Sequence, residues 1–173
     1  MVEIDLNVES MLDVLADRLK LVIESKGWNN PVMIGIHTGG SWIAEELHSR
    51  LELQEPLGLL DIAFYRDDFS EIGVQPQVRP SNLPFSIEGR DILLIDDVLY
   101  TGRTIRAALN EIFDYGRPAN VLLGVLIERD GRQIPIQADC LGGRVDLQPK
   151  QRIKLTGPDP LKFTIHEFDT KSK

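Results

Sequence analysis

The sequence predicts an α/β fold, with a twisted parallel β-sheet, helices on both faces and a small flap near the carboxyl end. Short apolar runs at residues 32–36, 92–95 and 121–127 have the length of buried strands and alternate with segments of helical periodicity. Alternation over about 30 residues implies right-handed crossovers between parallel strands. The run at 92–95 contains no polar residue, as expected for a strand that is covered on both faces.

Three amphipathic helices are expected between these runs. The first ends near Gly27, which can adopt the left-handed conformation found after helices. The third stops at Gly116 and Pro118. Further strands are expected at 57–64, 153–155 and 163–168. The apolar positions at helical spacing are Val8, Met11, Leu12, Leu15, Leu19, Val22 and Ile23 in the first helix, Ile43, Leu47 and Leu51 in the second, and Ile105, Ala108, Leu109, Ile112 and Phe113 in the third.

The chain is expected to form one domain over residues 1–173, a usual length for a single core. Residues 65–84 are polar, rich in proline and without apolar periodicity, so they are predicted to form a mobile loop. Residues 129–155 carry several prolines and glycines between short extended pieces, and they are predicted to form the flap.

Composition excludes some classes of function. The formal net charge of −8 argues against a protein that coats nucleic acid over much of its surface. The charge is uneven, because residues 128–154 hold six basic and four acidic residues, which gives +2 there and −10 elsewhere. The single cysteine, Cys140, is expected to be buried, and the sequence shows neither a signal peptide nor an apolar run long enough for a membrane span. These features predict a cytoplasmic location.

The strongest chemical signal follows the strand at 92–95. Asp96 and Asp97 are costly to bury unless they are paired, and the two hydroxyl groups of a sugar diol could donate to them. Thr101 and Thr104 then offer hydroxyl donors, while Gly102 permits close backbone approach before a helix whose free N–H groups would face an anion. Turn and capping chemistry, direct magnesium binding by the acids and phosphorylation are alternatives. A P-loop is excluded because no Gly-Lys-Ser/Thr follows.

The stretch from Asp96 to Thr104 resembles the 5-phosphoribosyl-1-diphosphate (PRPP) motif of the type I phosphoribosyltransferases. Its extended form, with Val-Leu-Tyr-Thr-Gly-Arg-Thr after the acids, is similar to the pyrimidine-operon regulator branch. Residues 65–68, 115–118, 129–132 and 135–139 match that branch too. The resemblance implies uracil phosphoribosyltransferase activity combined with RNA-dependent regulation of pyrimidine genes.

The resemblance also implies roles for individual residues. Asp96 and Asp97 would bind the ribose of PRPP. Two loops, called the pyrophosphate loop and the phosphate loop, would bind its anionic groups. Mg²⁺ would be carried by PRPP and bound to no side chain directly. Arg66, Asp96 and Asp97 would be catalytic, with Arg66 neutralising the leaving group. Arg129 and Arg132 would bind the base. The pyrophosphate loop is Thr38, Gly39 and Gly40, and the phosphate loop is Tyr100, Thr101, Gly102, Arg103 and Thr104.

One position departs from the family pattern, which has an arginine between the threonine and the glycine of the pyrophosphate loop where this chain has Gly39. Loss of that cation would weaken PRPP binding or indicate a nucleotide-sensing RNA-binding regulator with little or no transferase activity. His37 could substitute in part, or it could be structural. A phosphoribosyltransferase for another base is a third hypothesis.

The expected partners are PRPP, uracil and UMP, with pyrimidine mRNA leader RNA as a possible further one and no membrane. The resemblance implies a homodimer or a higher homo-oligomer. An acidic protein could bind RNA only through local patches. The candidate RNA-binding residues are Arg18, Lys20, Arg144, Lys150, Arg152 and Lys154.

Overall fold

The computed structural model describes residues 6–62 and 80–168. A five-stranded, wholly parallel sheet has the order β2-β1-β3-β4-β5, and a separate antiparallel pair, β6-β7, follows it in the chain. The predicted parallel α/β class is confirmed. The elements are α1 (Val8–Lys26), β1 (Val32–Ile36), α2 (Gly39–Arg50), β2 (Gly58–Leu60), β3 (Asp91–Leu99), α3 (Arg103–Tyr115), β4 (Asn120–Arg129), β5 (Cys140–Val145), β6 (Gln151–Thr156) and β7 (Lys162–Glu167).

Helix α1 begins and ends where capping chemistry predicts. The side chain of Asn7 accepts a hydrogen bond from the backbone N–H of Ser10, which satisfies a free donor of the first turn. Gly27 has φ 63° and donates its N–H to the carbonyl of Glu24, 3.1 Å away. A left-handed residue at this point costs least as glycine, so the helix stops as expected.

The core lies on both faces of the sheet. Side chains of β3 alternate between two apolar clusters: Leu93 and Ile95 pack with α1 and α2, whereas Ile92 and Leu94 pack with α3. All four are fully buried. Burial on both sides explains why this strand reads as a continuous apolar run.

Strand β3 is longer than the apolar run predicts. Its parallel pairing with β4 continues past Ile95 through Asp96, opposite Val125, to Leu99, opposite Glu128. The two acids therefore lie within the strand, and the expectation that they follow it is corrected. Pairing with a neighbouring strand extends β3 beyond the point at which its own apolar residues end.

The predicted flap region, residues 129–155, divides into different structures. Cys140–Val145 forms β5, the edge strand of the main sheet, so this part of the predicted flap belongs to the sheet itself. Residues 130–139 connect β4 to that strand, and residues 151–155 lie in the β6–β7 hairpin. At the tip of the hairpin, the indole of Trp42 lies beside Gly157.

The predicted strand at 57–64 is shorter in the structure, where only Gly58–Leu60 is extended and residues 63–64 lie outside the described chain. The loop predicted at 65–84 lies mostly outside it as well. Its described end is tied to the sheet, because Asn82 and Leu59 exchange two backbone hydrogen bonds of 2.8 Å. None of the helices in the described ranges is long and apolar enough to cross a membrane.

Candidate active site

The carboxyl ends of β1 and β3 bring the pyrophosphate loop against the two acids. These strands are neighbours, with Gly35 opposite Ile95, so residues 38–40 lie beside Asp96 and Asp97. A Cβ atom on Gly40 would lie 2.8 Å from Oδ1 of Asp96, and one on Gly39 would overlap the carboxylate of Asp97. Both glycines are therefore required for the loop to approach this closely, and Gly39 gives space to Asp97.

The two carboxylates are buried, with Asp96 2% exposed and Asp97 6% exposed. Oδ1 of Asp96 accepts the backbone N–H of Asp97 at 2.9 Å. Water is largely excluded from both groups, so a diol that donates two hydroxyl hydrogen bonds would replace their lost hydration.

The phosphate loop ends in the first turn of α3. Gly102 has φ 94°, a left-handed conformation, and a Cβ atom there would also meet the side chain of Ile134 at 2.9 Å. The hydroxyl of Thr101 accepts the N–H of Arg103 at 3.1 Å. The helix begins at Arg103, which gives the turn the partial positive charge of a helix N-terminus.

Residues 129–134, called the base loop here, run alongside the phosphate loop. The guanidinium of Arg129 stacks on the ring of Tyr100, 4.0 Å from its centroid. The N–H of Gln133 donates to the carbonyl of Thr101 at 3.0 Å, and Oε1 of Gln133 accepts Nε of Arg103 at 3.0 Å. The two loops thus form one wall of the site.

A cleft of about 340 Å³ opens beside this wall. Its lining is mostly polar and charged, and it includes the ring of Tyr100 and the side chain of Ile136, against which a small planar base could pack. Its lining residues are Leu99, Tyr100, Glu128, Arg129, Asp130, Gly131, Arg132, Ile136, Gln137, Arg144, Val145 and Asp146.

Comparison with known proteins decides the family. The phosphoribosyl transferase domain model matches residues 6–152. A protein of Nitrosococcus oceani named Bifunctional protein PyrR is 56% identical over 168 residues, which are 96% of this chain and 95% of that one. A protein of the same name from Pseudomonas fluorescens is 50% identical over 162 residues, 94% of this chain and 96% of that one. The chain belongs to the phosphoribosyltransferase family, in its PyrR branch.

Solved structures agree on the phosphoribosyltransferase fold. A hypoxanthine-guanine-xanthine phosphoribosyltransferase superposes with a TM-score of 0.60 at 22% identity, covering 81% of this chain and 76% of that one. A hypoxanthine phosphoribosyltransferase from Staphylococcus aureus gives a TM-score of 0.64 at 20% identity, with 83% and 77% coverage. At these identities the likeness concerns the fold alone.

The structure brings together most of the residues expected to form this phosphoribosyltransferase site. The pyrophosphate loop, the two acids and the phosphate loop meet at one edge of the sheet, and Arg129 and Arg132 line the cleft beside them. Arg66 lies outside the described residues. Gln133 was missed, because it lies between the two stretches that carry the family resemblance, 129–132 and 135–139, and nothing in the sequence indicates that it reaches Arg103.

The candidate RNA-binding residues of this PyrR-branch chain have varied surroundings. Nη1 of Arg18 donates to the carbonyl of Leu141 at 2.6 Å, and Arg152 lies over the ring of Phe168 at 4.7 Å. Nε of Arg144 pairs with Oε2 of Glu128 at 2.8 Å, and the Arg144 side chain remains 75% exposed. The three candidate lysines, Lys20, Lys150 and Lys154, are exposed.

The side chains of the site bear on whether the protein itself could hold a metal ion. Within residues 6–62 and 80–168, no three His, Cys, Asp or Glu side chains are grouped to hold one. The two carboxylates of Asp96 and Asp97 fit a cation that is already held by the phosphates of its substrate, since Mg²⁺ in proteins often keeps phosphate and water ligands.

Proposed function

We propose that this chain transfers the phosphoribosyl group of PRPP to uracil, giving UMP and pyrophosphate. The observation that carries the proposal is the meeting of two buried carboxylates, a glycine pyrophosphate loop and the N-terminal turn of α3 at one edge of the sheet. PRPP carries a phosphate at C5 and a diphosphate at C1 of its pentose, so it presents a diol between two anions. This site offers acceptors between two groups of N–H donors.

Each part of PRPP has a matching part of the protein. Asp96 and Asp97 accept hydrogen bonds from the ribose hydroxyls, and their burial strengthens those bonds. The turn from Thr101 to Thr104 holds the 5-phosphate through N–H and hydroxyl donors. The backbone of residues 38–40 binds the pyrophosphate, which needs no side chain at Gly39.

The reaction breaks the bond from C1 of the ribose to the pyrophosphate oxygen and forms a bond from C1 to N1 of uracil, and the N1 proton of uracil passes to the departing pyrophosphate or to water. Positive charge develops on the sugar, and the fixed negative charge of Asp96 and Asp97 stabilises it. Mg²⁺ bound with PRPP supplies charge neutralisation for the departing diphosphate. Arg66 is proposed to assist the same group.

The base occupies the cleft beside Arg129 and Arg132. Uracil presents alternating N–H and C=O groups at one edge, so orientation by these arginines and by backbone groups of the base loop places N1 toward C1. Orientation of both reactants in one site is a large part of the rate gain in such a displacement.

A second activity, uridine-nucleotide-dependent binding of pyrimidine leader RNA, is proposed from the PyrR branch, whose named members are called bifunctional. The candidate RNA residues lie on α1, on β5 and on β6 with the turn before it. One of them, Arg144, also lines the cleft proposed for the base. Gly39 favours the alternative of a regulator with little transferase activity, because the arginine of the family pattern is absent from its pyrophosphate loop.

A steady-state assay with radiolabelled uracil, PRPP and Mg²⁺ tests the proposal. UMP and pyrophosphate should form in equal amounts, and uracil should be used in preference to hypoxanthine, guanine and orotate. Faster turnover of any of these other bases would refute the uracil assignment. UMP binding without turnover would favour the regulator that catalyses poorly.

A further inference from the structure

The base loop and the phosphate loop are joined by backbone hydrogen bonds and by an apolar contact. Thr101 accepts two backbone bonds from the base loop, one from Gln133 at 3.0 Å and one from Ile134 at 3.4 Å. Ile134 packs against Gly102, where a Cβ atom would lie 2.9 Å from its Cγ1. These contacts are made by backbone atoms and an apolar side chain, so they hold the base loop in place whatever the side chain at position 133.

The side chain of Gln133 does something different. Its Oε1 accepts Nε of Arg103 at 3.0 Å, and both side chains are exposed. An arginine guanidinium is planar and carries its donors in a fixed fork, so a bond to Nε also fixes the plane of the two terminal nitrogens. Arg103 is the first residue of α3, beside the phosphate-binding turn.

We propose that Gln133 is a positioning residue, which holds the guanidinium of Arg103 ready for the 5-phosphate and thereby couples the phosphate loop to the base loop. The inference rests on the proposed function, since it assigns the phosphate of PRPP or UMP to the turn at residues 101–104. Ordering a long side chain before the ligand arrives removes part of the entropic cost of binding, an effect of about two- to tenfold in affinity.

The proposed coupling affects only ligands that carry a 5-phosphate, and this difference can be measured. Ligands that carry the 5-phosphate gain from an ordered Arg103, whereas uridine, which has the base and ribose but no phosphate, does not. Removing the Gln133 side-chain acceptor should therefore weaken UMP and leave uridine unchanged. A loop that had simply come loose would weaken both.

The experiment compares five variants by calorimetric titration with UMP and with uridine. Gln133→Leu removes the acceptor and should weaken UMP by about two- to tenfold. Gln133→Glu keeps an oxygen acceptor and adds charge, so it should bind UMP at least as tightly as the parent. In an Arg103→Leu background the Gln133→Leu change should cost less than about twofold. Gln54→Leu makes the same change at an exposed site on the connection from α2 to β2 and serves as the control.

Kinetics give an independent readout: Gln133→Leu should raise the KM for PRPP with little change in kcat. The proposal is overturned if Gln133→Leu binds UMP as the parent does, if it weakens uridine equally, or if Gln133→Glu behaves like Gln133→Leu. Calorimetry needs no turnover. A parent that binds UMP but forms none would count against the proposed transferase and leave this test standing.

Discussion

At Asp96 and Asp97, burial and chemistry act in opposite directions. Both carboxylates are almost fully removed from water, which costs folding free energy, and both face a loop whose glycines leave no side chain between them and a ligand. A site that keeps such costly groups is built for what they bind rather than for stability.

Asp96→Asn and Asp97→Asn should each abolish detectable PRPP binding or weaken it by about ten- to hundredfold, because each removes a charge and an acceptor but little volume. Calorimetry measures the affinity, and thermal unfolding should show a fold at least as stable as the parent. A variant that bound PRPP with parental affinity would contradict the assignment of the acids to the ribose.

Gly39→Ala should weaken PRPP binding, since the added methyl group overlaps the carboxylate of Asp97 and forces it away. Restoring the arginine of the family pattern with Gly39→Arg should be no better, because its Cβ atom meets the same carboxylate. We expect about a tenfold loss of affinity, in line with one misplaced charged hydrogen bond.

The control for Gly39 is Gly27→Ala. Gly27 has φ 63° and open space around it, so alanine there should lower the free energy of unfolding without changing PRPP affinity. If Gly39→Ala and Gly27→Ala both lost only stability, the steric link between Gly39 and Asp97 would be wrong.

Among the helices and strands, the sequence predicts those features that depend on residues close together in the chain. The end of α1 and the buried run of β3 are readable because Gly27 and the apolar residues act within a few positions of themselves, whereas the cap at Asn7 was not predicted. The length of β3 was not readable, since its last residues are extended by pairing with β4. Nor was β5, whose two glycines look like turn residues yet let α1 approach: a Cβ atom on Gly142 would lie 2.9 Å from the carbonyl oxygen of Met11.

Strands β5 and β6, with the turn between them, hold four of the candidate RNA-binding residues. Neutralising Arg144, Lys150, Arg152 and Lys154 together should weaken binding of pyrimidine leader RNA. Each lost phosphate contact should also flatten the plot of log affinity against log salt by about 0.7 to 0.9. Filter binding over a salt series measures both effects.

Uracil transfer should survive neutralisation of Lys150, Arg152 and Lys154 alone, since these side chains do not line the cleft proposed for the base. Arg144 does line it, so the fourfold variant should in addition raise the KM for uracil. Lys26→Gln, at the end of α1 over the ring of Trp28, is the matched single-charge control. An unchanged affinity and slope in the fourfold variant would remove these residues from the RNA site.

For the whole molecule, the fold class is confirmed. The proximity of the pyrophosphate loop, the two acids and the phosphate loop agrees with a parallel sheet that collects its loops at one edge, and the roles of those residues stay predictions. The contact between Gln133 and Arg103 could not be predicted, since it depends on how two loops 30 residues apart in the chain lie against each other. Burial of Cys140 was predicted and is confirmed at 3% exposure.

Cys140 reports on the integrity of the whole fold. Burial, together with the neighbouring charge of Asp139, raises the pKa of its thiol, so the folded protein holds less of the reactive thiolate at pH 8 than the unfolded chain does. A thiol reagent should therefore label the native protein at least about a hundredfold more slowly than the urea-unfolded protein, since labelling requires opening of the core. Rapid native labelling, followed by absorbance, would contradict the packing of β5 beneath α1.

The indole beside the hairpin tip gives the molecule a built-in optical reporter. Trp42 lies in the first turn of α2, two residues after Gly40, and its ring lies beside Gly157 of the loop between β6 and β7, where an added Cβ atom would be 3.1 Å from Cε3 of the ring. The fluorescence of this indole depends on its surroundings. A shift of residues 38–40 or of the hairpin on ligand binding would therefore change the fluorescence. With Trp28→Phe the tryptophan fluorescence would come from this one position, so ligand binding at the proposed pyrophosphate loop can be followed without an attached dye.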